Sequence, residues 1–167
     1  MAHRFSAAAT LAALAVALLL TGCDPQRISE LEEGVATEAD VRARFGEPEK
    51  IWDGPGGVRI LEYNRQPAGQ KNYMITIERD GRMSALRQVL SPANFARIQP
   101  GMMMEDVRRL LGKPARTVTY SLKNETAWDW RYLEPPNASM VFTVWLDPQY
   151  RVLRTATAPD PHAPENR

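Results

Sequence analysis

The chain contains Val41-Arg42-Ala43-Arg44-Phe45-Gly46-Glu47-Pro48 and, 66 residues later, Val107-Arg108-Arg109-Leu110-Leu111-Gly112-Lys113-Pro114. Each stretch places apolar residues on one side of a short helix and then a glycine and a proline, which is how helices commonly end. Further along, residues 77–87 match residues 144–154 at an offset of 67. Because the order of the matching segments is kept, the sequence predicts two tandem copies of one structural unit.

Each copy is predicted to begin with a pair of helices. In the first copy Thr37 is an N-cap residue with Asp40 three positions later, as in a capping box, whereas Met103 in the second copy offers no oxygen acceptor. The preceding helices are expected over residues 28–33 and 91–98, the latter with a serine cap and a proline at its first position.

Strands are predicted after the helices, because alternating apolar residues are bounded there by turn-forming residues. We therefore expect an α+β fold with two tandem units, each a helix pair packed on a three- or four-stranded antiparallel sheet. The first copy is expected over residues 31–90 and the second over residues 91–157, followed by a disordered tail over residues 158–167. The predicted strands cover residues 49–53, 58–64, 73–79, 83–89, 115–122, 127–133, 139–146 and 151–156.

The N-terminal segment has the features of a secretory signal peptide. His3 and Arg4 precede an Ala- and Leu-rich run over residues 7–20, which is shorter than the roughly 20 apolar residues that span a bilayer. This run leads into Leu20-Thr21-Gly22-Cys23, which resembles the lipobox at which bacterial lipoproteins are cleaved and acylated.

Acylation at this cysteine predicts where the protein resides. We expect a signal peptide over residues 1–22, lipidation of Cys23 and a short tether over residues 23–30. More than one acyl chain makes such anchoring stable, so the body of the protein would face the periplasm from a membrane surface. An outer-membrane anchor is favoured, and Asp24 leaves the inner membrane as the alternative.

Composition excludes several function classes. Without residues 1–22 the chain carries 20 basic and 20 acidic residues, so charge gives no case for binding nucleic acid. Cys23 is the only cysteine in the sequence, and its two histidines are His3 and His162. This argues against Ser-His-Asp and Cys-His catalysis and against the usual zinc sites. We predict no catalytic residue, no cofactor and no metal site.

Aromatic side chains are the candidate contacts with a partner. Trp128, Trp130 and Tyr132 alternate with charged residues, so they share one face of a strand. Either this face packs on the helices, or it grips a protein partner, since Trp and Tyr are rich in binding energy. In the next strand one of Val144 and Trp145 must point away from the helices, which makes Trp145 a further candidate.

The repeated motif and the lipobox together resemble the SmpA/OmlA (BamE-like) family of small outer-membrane assembly lipoproteins. The matching residues are Gly34, Thr37, Val41, Phe45, Gly46 and Pro48, then Gly101, Val107, Leu111, Gly112 and Pro114. The resemblance implies two helices packed on a three- or four-stranded antiparallel sheet in each unit. A tandem of such units is also similar to the β-lactamase inhibitory protein, in which a concave sheet binds an enzyme.

These features predict a non-enzymatic scaffold or binding protein, held to the membrane by lipid. Its partner is expected to be another envelope protein, with the β-barrel assembly machinery as the candidate that the resemblance implies. One alternative is an inhibitor or sensor that captures a periplasmic enzyme or a peptidoglycan-related ligand on the concave sheet. The other is an enzyme that uses carboxylates, although adjacent acids such as Glu105 and Asp106 do not face each other on a helix.

Overall fold

The computed structural model describes Ile28 and residues 30–163, and the chain divides into two compact units, Met1–Glu32 and Glu33–Arg167. In the first unit the N–H of Leu31 donates to the carbonyl of Ile28 at 3.1 Å. The predicted signal peptide, Cys23 and most of the predicted tether lie outside the described residues. In the part of the chain that is described, no helix has the length and apolar character needed to cross a membrane.

Two four-stranded antiparallel sheets form most of the second unit. In both sheets each strand pairs with the next one along the chain. Each observed strand overlaps one that the sequence predicted. The first sheet contains β1 (Lys50–Asp53), β2 (Arg59–Asn64), β3 (Asn72–Ile77) and β4 (Met83–Gln88). The second contains β5 (Arg116–Tyr120), β6 (Glu125–Glu134), β7 (Ala138–Leu146) and β8 (Val152–Pro159).

The helices of this unit are short. They are α1 (Glu38–Phe45), α2 (Pro92–Phe95) and α3 (Met104–Leu111), with a 3₁₀ turn at Pro55–Gly57. The predicted capping box of α1 is confirmed, because the N–H of Thr37 donates to Asp40 Oδ2 at 2.8 Å and the N–H of Asp40 donates to Thr37 Oγ1 at 3.3 Å. Met103 caps α3 without any side-chain hydrogen bond.

The expected helix pairs are not present, so the α+β prediction is wrong and the described fold is mostly β. Residues 34–36 run beside β4 instead: the N–H of Gly34 donates to the carbonyl of Met83 at 2.7 Å, and the N–H of Met83 donates to the carbonyl of Ala36 at 2.8 Å. Residues 31–33, which belong to the helix predicted over residues 28–33, form turn and irregular backbone just before this pairing. In the second copy α2 ends after one turn, shortly before Pro100, which cannot continue a helix.

The two sheets do fit two tandem copies, but with a corrected alignment. The N–H of Gly101 donates to the carbonyl of Val152 at 2.7 Å, which repeats the contact between Gly34 and Met83. Met83 therefore corresponds to Val152, an offset of 69 residues instead of the predicted 67. The two extra residues lie between β6 and β7, because the paired residues Glu62 and Met74 are 12 positions apart whereas the equivalent Asp129 and Thr143 are 14 positions apart.

The core of the second copy lies between one face of its sheet and the helices α2 and α3. Trp130 and Phe142 belong to this cluster together with Val107 and Leu111 of α3. The ring of Phe95 in α2 stacks on Phe142 with centroids 4.2 Å apart. These contacts fix which face of the second sheet points inward.

In the first copy α1 packs in the same way on its own sheet. The ring of Phe45 lies 4.9 Å from that of Tyr63, and Val41 is fully buried. The hydroxyl of Tyr63 donates to the carbonyl of Gly46 at 3.0 Å, and burial raises the pKa of Tyr63 to about 12. Helix α1 therefore covers one face of the first sheet, and α2 and α3 together cover one face of the second.

Candidate functional site

The face of the second sheet that points away from the core bears a cavity of about 520 Å³. We call this surface the outer face. It is formed by paired residues of β6 and β7, because directly opposed residues in antiparallel strands share a face. The pairs are Ala127 with Trp145, Asp129 with Thr143 and Arg131 with Val141.

The aromatic residues predicted from sequence separate between the two faces. Trp130 and Tyr132 are 0% and 1% exposed and belong to the core, so of the two alternatives that the sequence left open for this face, packing inside the fold is the one observed for these residues. Burial also raises the pKa of Tyr132. Trp128 is half-buried against the same core. Trp145 is half-buried on the outer face and lines the cavity. The alternation correctly predicted that Trp128, Trp130 and Tyr132 share one face of β6, and this is the face that packs on the core.

Trp145 is held in place from the neighbouring strand. The guanidinium carbon of Arg154 in β8 lies 4.7 Å from the centre of its ring, which is within cation–π range. Arg154 in turn donates to both oxygens of Glu125 at 2.8 and 2.7 Å, and this contact lowers the pKa of Glu125. The indole is therefore a preorganised apolar surface beside a fixed positive charge.

Asp129 is the carboxylate at the centre of the outer face. It accepts a hydrogen bond from Thr143 Oγ1 at 2.7 Å and another from Arg116 Nε at 3.1 Å, and its side chain is 13% exposed. A carboxylate has about four acceptor positions, so Asp129 retains capacity for a donor from another molecule. This residue was not singled out from the sequence, where it is one acid between two tryptophans.

Arg131 joins the outer face to the loop that follows β2. Its Nη1 donates to the carbonyl of Pro67 at 3.0 Å. The side chain of Gln66 brackets its backbone, accepting from the N–H at 3.0 Å and donating to the carbonyl at 2.7 Å. One wall of the cavity is thus supplied by the first copy, through contacts between residues about 65 positions apart.

The chain after β8 forms another wall of the cavity. Asp160 is 6% exposed and accepts from Arg131 Nε at 2.6 Å. Burial by itself raises the pKa of Asp160, but the N–H of His162 and the guanidinium of Arg131 outweigh it and hold that pKa below its ordinary value of 3.8. Residues 158–163 therefore belong to the folded unit, contrary to the predicted disorder from residue 158; the tail residues 164–167 lie outside the described part.

The corresponding face of the first sheet carries α3. Glu62 corresponds to Asp129, because Glu49 donates its N–H to the carbonyl of Glu62 at 2.8 Å as Ala115 does to that of Asp129 at 2.8 Å. Glu62 is fully buried and accepts from Arg108 Nη2 of α3 at 3.2 Å. Helix α3 thus packs one side on its own sheet and presents the other side to the sheet of the preceding copy.

Three further contacts hold the end of α3 on the first sheet. The N–H of Lys113 donates to Glu62 Oε1 at 2.9 Å. The amide of Asn72 donates to the carbonyl of Leu111 at 2.8 Å. The guanidinium carbon of Arg109 lies 4.5 Å from the ring centre of Trp52. This face of the first sheet therefore binds the C-terminal end of a helix together with the glycine turn that follows it.

The acids of the described residues do not assemble a metal-binding group. Within residues 28 and 30–163 no set of three His, Cys, Asp or Glu side chains lies close enough together to hold a metal ion. The outer-face acids Asp129 and Asp160 are each ion-paired with arginine.

Comparisons with known proteins give little beyond the structure itself. No family model matches the chain, and no curated protein matches it. Among solved structures, the chain is similar to YjgB, a DUF4309 family protein from Bacillus subtilis, with 21% sequence identity over 78% of this chain and 82% of that one and a TM-score of 0.31. A likeness at this TM-score carries no argument about fold or function.

Proposed function

We propose that this chain is a non-enzymatic, lipid-anchored binding protein that faces the periplasm and holds another envelope protein on its outer face. The observation that carries the proposal is the difference between two equivalent surfaces. The face around Glu62 is covered by α3, whereas the face around Asp129 has an open cavity of about 520 Å³. A sheet face that one copy covers with a helix, and the other leaves open, is an available protein-binding surface.

The chemistry of the outer face supports a protein partner. Trp145 supplies a rigid aromatic anchor, and Asp129 and Arg131 supply charged groups that their neighbours hold in fixed positions. Interfaces commonly combine a central aromatic residue with surrounding polar groups. Lipidation at Cys23 would confine the protein to a membrane surface, which suits a role in outer-membrane protein assembly or envelope integrity.

The test is a crosslinking pull-down from membranes that compares the wild-type protein with Trp145→Ala and Cys23→Ala. We expect an envelope protein whose recovery falls with either substitution, while Ile51→Ala, a partly exposed apolar strand residue of the first sheet, has no effect. Recovery that is unchanged by Trp145→Ala would reject the outer face as the binding surface. A mature form without lipid, soluble in the periplasm, would reject the anchor.

The same experiment distinguishes the second candidate, an inhibitor or sensor of a periplasmic enzyme. The open cavity on a sheet face is the observation that favours it. In that case a single periplasmic enzyme would be captured with or without Cys23 and lost with Trp145→Ala. The sequence had tied this candidate to an exposed Trp128 or Trp130; Trp130 is buried and Trp128 is half-buried against the core, so Trp145 is the aromatic residue that remains for such a contact on the outer face.

A further inference from the structure

The geometry points to a second copy of this chain as an occupant of the outer face: α1 of one molecule would dock beside Asp129 of the next, as α3 docks beside Glu62 within the chain. This inference rests on the proposed function, because it names a partner for the same surface. It follows from the tandem arrangement, in which the sheet face of the first copy receives the helix of the second copy, whereas the equivalent face of the second copy has no following copy within the described chain.

Helices α1 and α3 are equivalent in their surroundings. Both follow an isolated antiparallel bridge, Thr37 with Arg82 and Met103 with Arg151. Both end in a glycine with positive φ whose N–H donates to the backbone carbonyl of the arginine four residues earlier, at 2.8 Å for α1 and 2.7 Å for α3. An element shaped like the one that covers the first sheet therefore exists a second time in the molecule.

The side of α1 that matches the docked side of α3 is open. A Cβ added to Gly112 would meet Asn72 Nδ2 at 2.9 Å, because the first sheet approaches that glycine closely. A Cβ added to the equivalent Gly46 meets nothing within 4 Å in the described structure. Ala39 and Ala43, which occupy the positions of Glu105 and Arg109, are both exposed.

Equivalent positions of the two tandem copies carry different residues, and the differences on the helix side match those on the sheet face that it would contact. On the helix, alanines replace the charged Glu105 and Arg109. On the sheet, the position of Asn72 is taken by Val141. The less polar side of the helix thus corresponds to a less polar position on the sheet at Val141, and the small alanines allow close approach.

The central charge pair is preserved. Arg42 takes the place of Arg108 and Asp129 that of Glu62. Arg42 is now bonded to Glu38 and Glu47 on its own surface, with its side chain 28% exposed. It can bond a carboxylate of a second molecule as Arg108 does, since Asp129 has the acceptor capacity described above.

Such a contact joins two different surfaces, so every assembly that does not close on itself keeps one free α1 and one free outer face at its ends. Interfaces of this head-to-tail kind build rings or open chains rather than closed pairs. On a membrane the molecules would form short rows, and an envelope protein bound to the outer face would end a row.

The test uses crosslinking between two differently tagged full-length copies in membranes. Ala43→Cys in one copy and Val118→Cys in the other place thiols at the positions equivalent to Arg109 and Trp52, within reach of a short bismaleimide. We expect the two tags to be joined when Ala43→Cys is paired with Val118→Cys, and not when either variant is paired with itself. No product in the mixed pair, or equal product in the like pairs, would overturn the inference.

A charge substitution supplies the second arm. Ala43→Glu lies on an exposed helix position, so it should leave the thermal unfolding temperature unchanged. The probes for this arm are Ala39→Cys in one copy and Val118→Cys in the other. Adding Ala43→Glu to the Ala39→Cys copy should lower the yield of the crosslinked mixed pair by at least about tenfold relative to the same pair without it, because an unpaired carboxylate would be desolvated in the contact. Undiminished crosslinking with Ala43→Glu would overturn the inference.

The outcomes for self-association and for the proposed function are separable. Ala43→Glu leaves the outer face intact, so capture of another envelope protein should persist in this variant. If capture depends on Trp145 and no mixed crosslink forms, the proposed function stands and self-association is rejected. If the mixed crosslink forms and no other envelope protein is captured, self-association stands and the proposed partner is rejected.

Discussion

Arg108→Ala is expected to lower the free energy of unfolding by about 3 kcal/mol, at the lower end of the range for removing one partner of a buried ion pair. Glu62 is 0% exposed, and Arg108 donates to it through Nε at 3.3 Å and Nη2 at 3.2 Å. Without Arg108 the carboxylate keeps only the neutral donors Trp52 Nε1 at 3.0 Å and Lys113 N at 2.9 Å.

The lower end of that range applies because solvent reaches the arginine. The side chain of Arg108 is 26% exposed, so water can enter and partly solvate Glu62 once the guanidinium is removed. The matched control is Arg109→Ala, one residue along the same helix. Arg109 is 46% exposed and contacts Glu105 and the ring of Trp52, so its loss should cost no more than about 1 kcal/mol.

The assay is equilibrium unfolding in urea near pH 7, followed by tryptophan fluorescence, with a thermal scan for comparison. For a chain of this size 3 kcal/mol corresponds to a decrease of about 6–12 °C in the midpoint temperature. The reasoning is refuted if Arg108→Ala and Arg109→Ala differ by less than about 1 kcal/mol, a typical surface-pair contribution. That result would mean that the carboxylate does not hold α3 on the first sheet.

Three further predictions concern the core, the last wall of the cavity and the helix caps. Trp130→Ala should destabilise the fold by about 3–5 kcal/mol, whereas Trp145→Ala on the outer face should cost clearly less; urea unfolding of both variants checks this. Because the folded state lowers the pKa of Asp160, its contribution to stability is present above about pH 4 and is lost as the pH falls through the folded-state value. Asp160→Asn should therefore destabilise the protein at pH 7 and have progressively less effect in acid, and an effect independent of pH would contradict this. Thr37→Ala should cost about 1 kcal/mol through the lost capping box, whereas Met103→Ala should cost less because Met103 makes no cap hydrogen bond; thermal scans of the pair compare the two helix starts.

Local sequence signals predicted the strands and the start of α1 because their causes are local. Two local signals predict a strand whatever its partner in the sheet: the alternation of apolar and polar residues, and turn residues such as Asp80-Gly81 at its ends. The Thr37–Asp40 box needs only residues three apart. The same reasoning failed for residues 30–33, which are not helical, because the sequence does not show that β4 pairs with the chain beside Gly34.

The alignment of the copies shows a similar limit. The motif around Gly46 and Gly112 revealed the tandem arrangement at once. Counting residues alone could not locate the two extra residues of the β6–β7 hairpin, which change the offset from 67 to 69. Strand register, which depends on pairing across the sheet, was needed to find them.

The sequence by itself determined which side chains share a face, since neighbouring residues in a strand point to opposite sides. It separated Trp130 from Asp129, and Val144 from Trp145. Only the tertiary structure decided which face is covered, because the covering contacts join residues far apart in the chain. Arg108 lies 46 positions from Glu62, and Gln66 lies 65 positions from Arg131. A local sequence pattern carries no information about contacts between residues so far apart in the chain. The open surface around Asp129 could therefore be identified only from the arrangement of both sheets and α3.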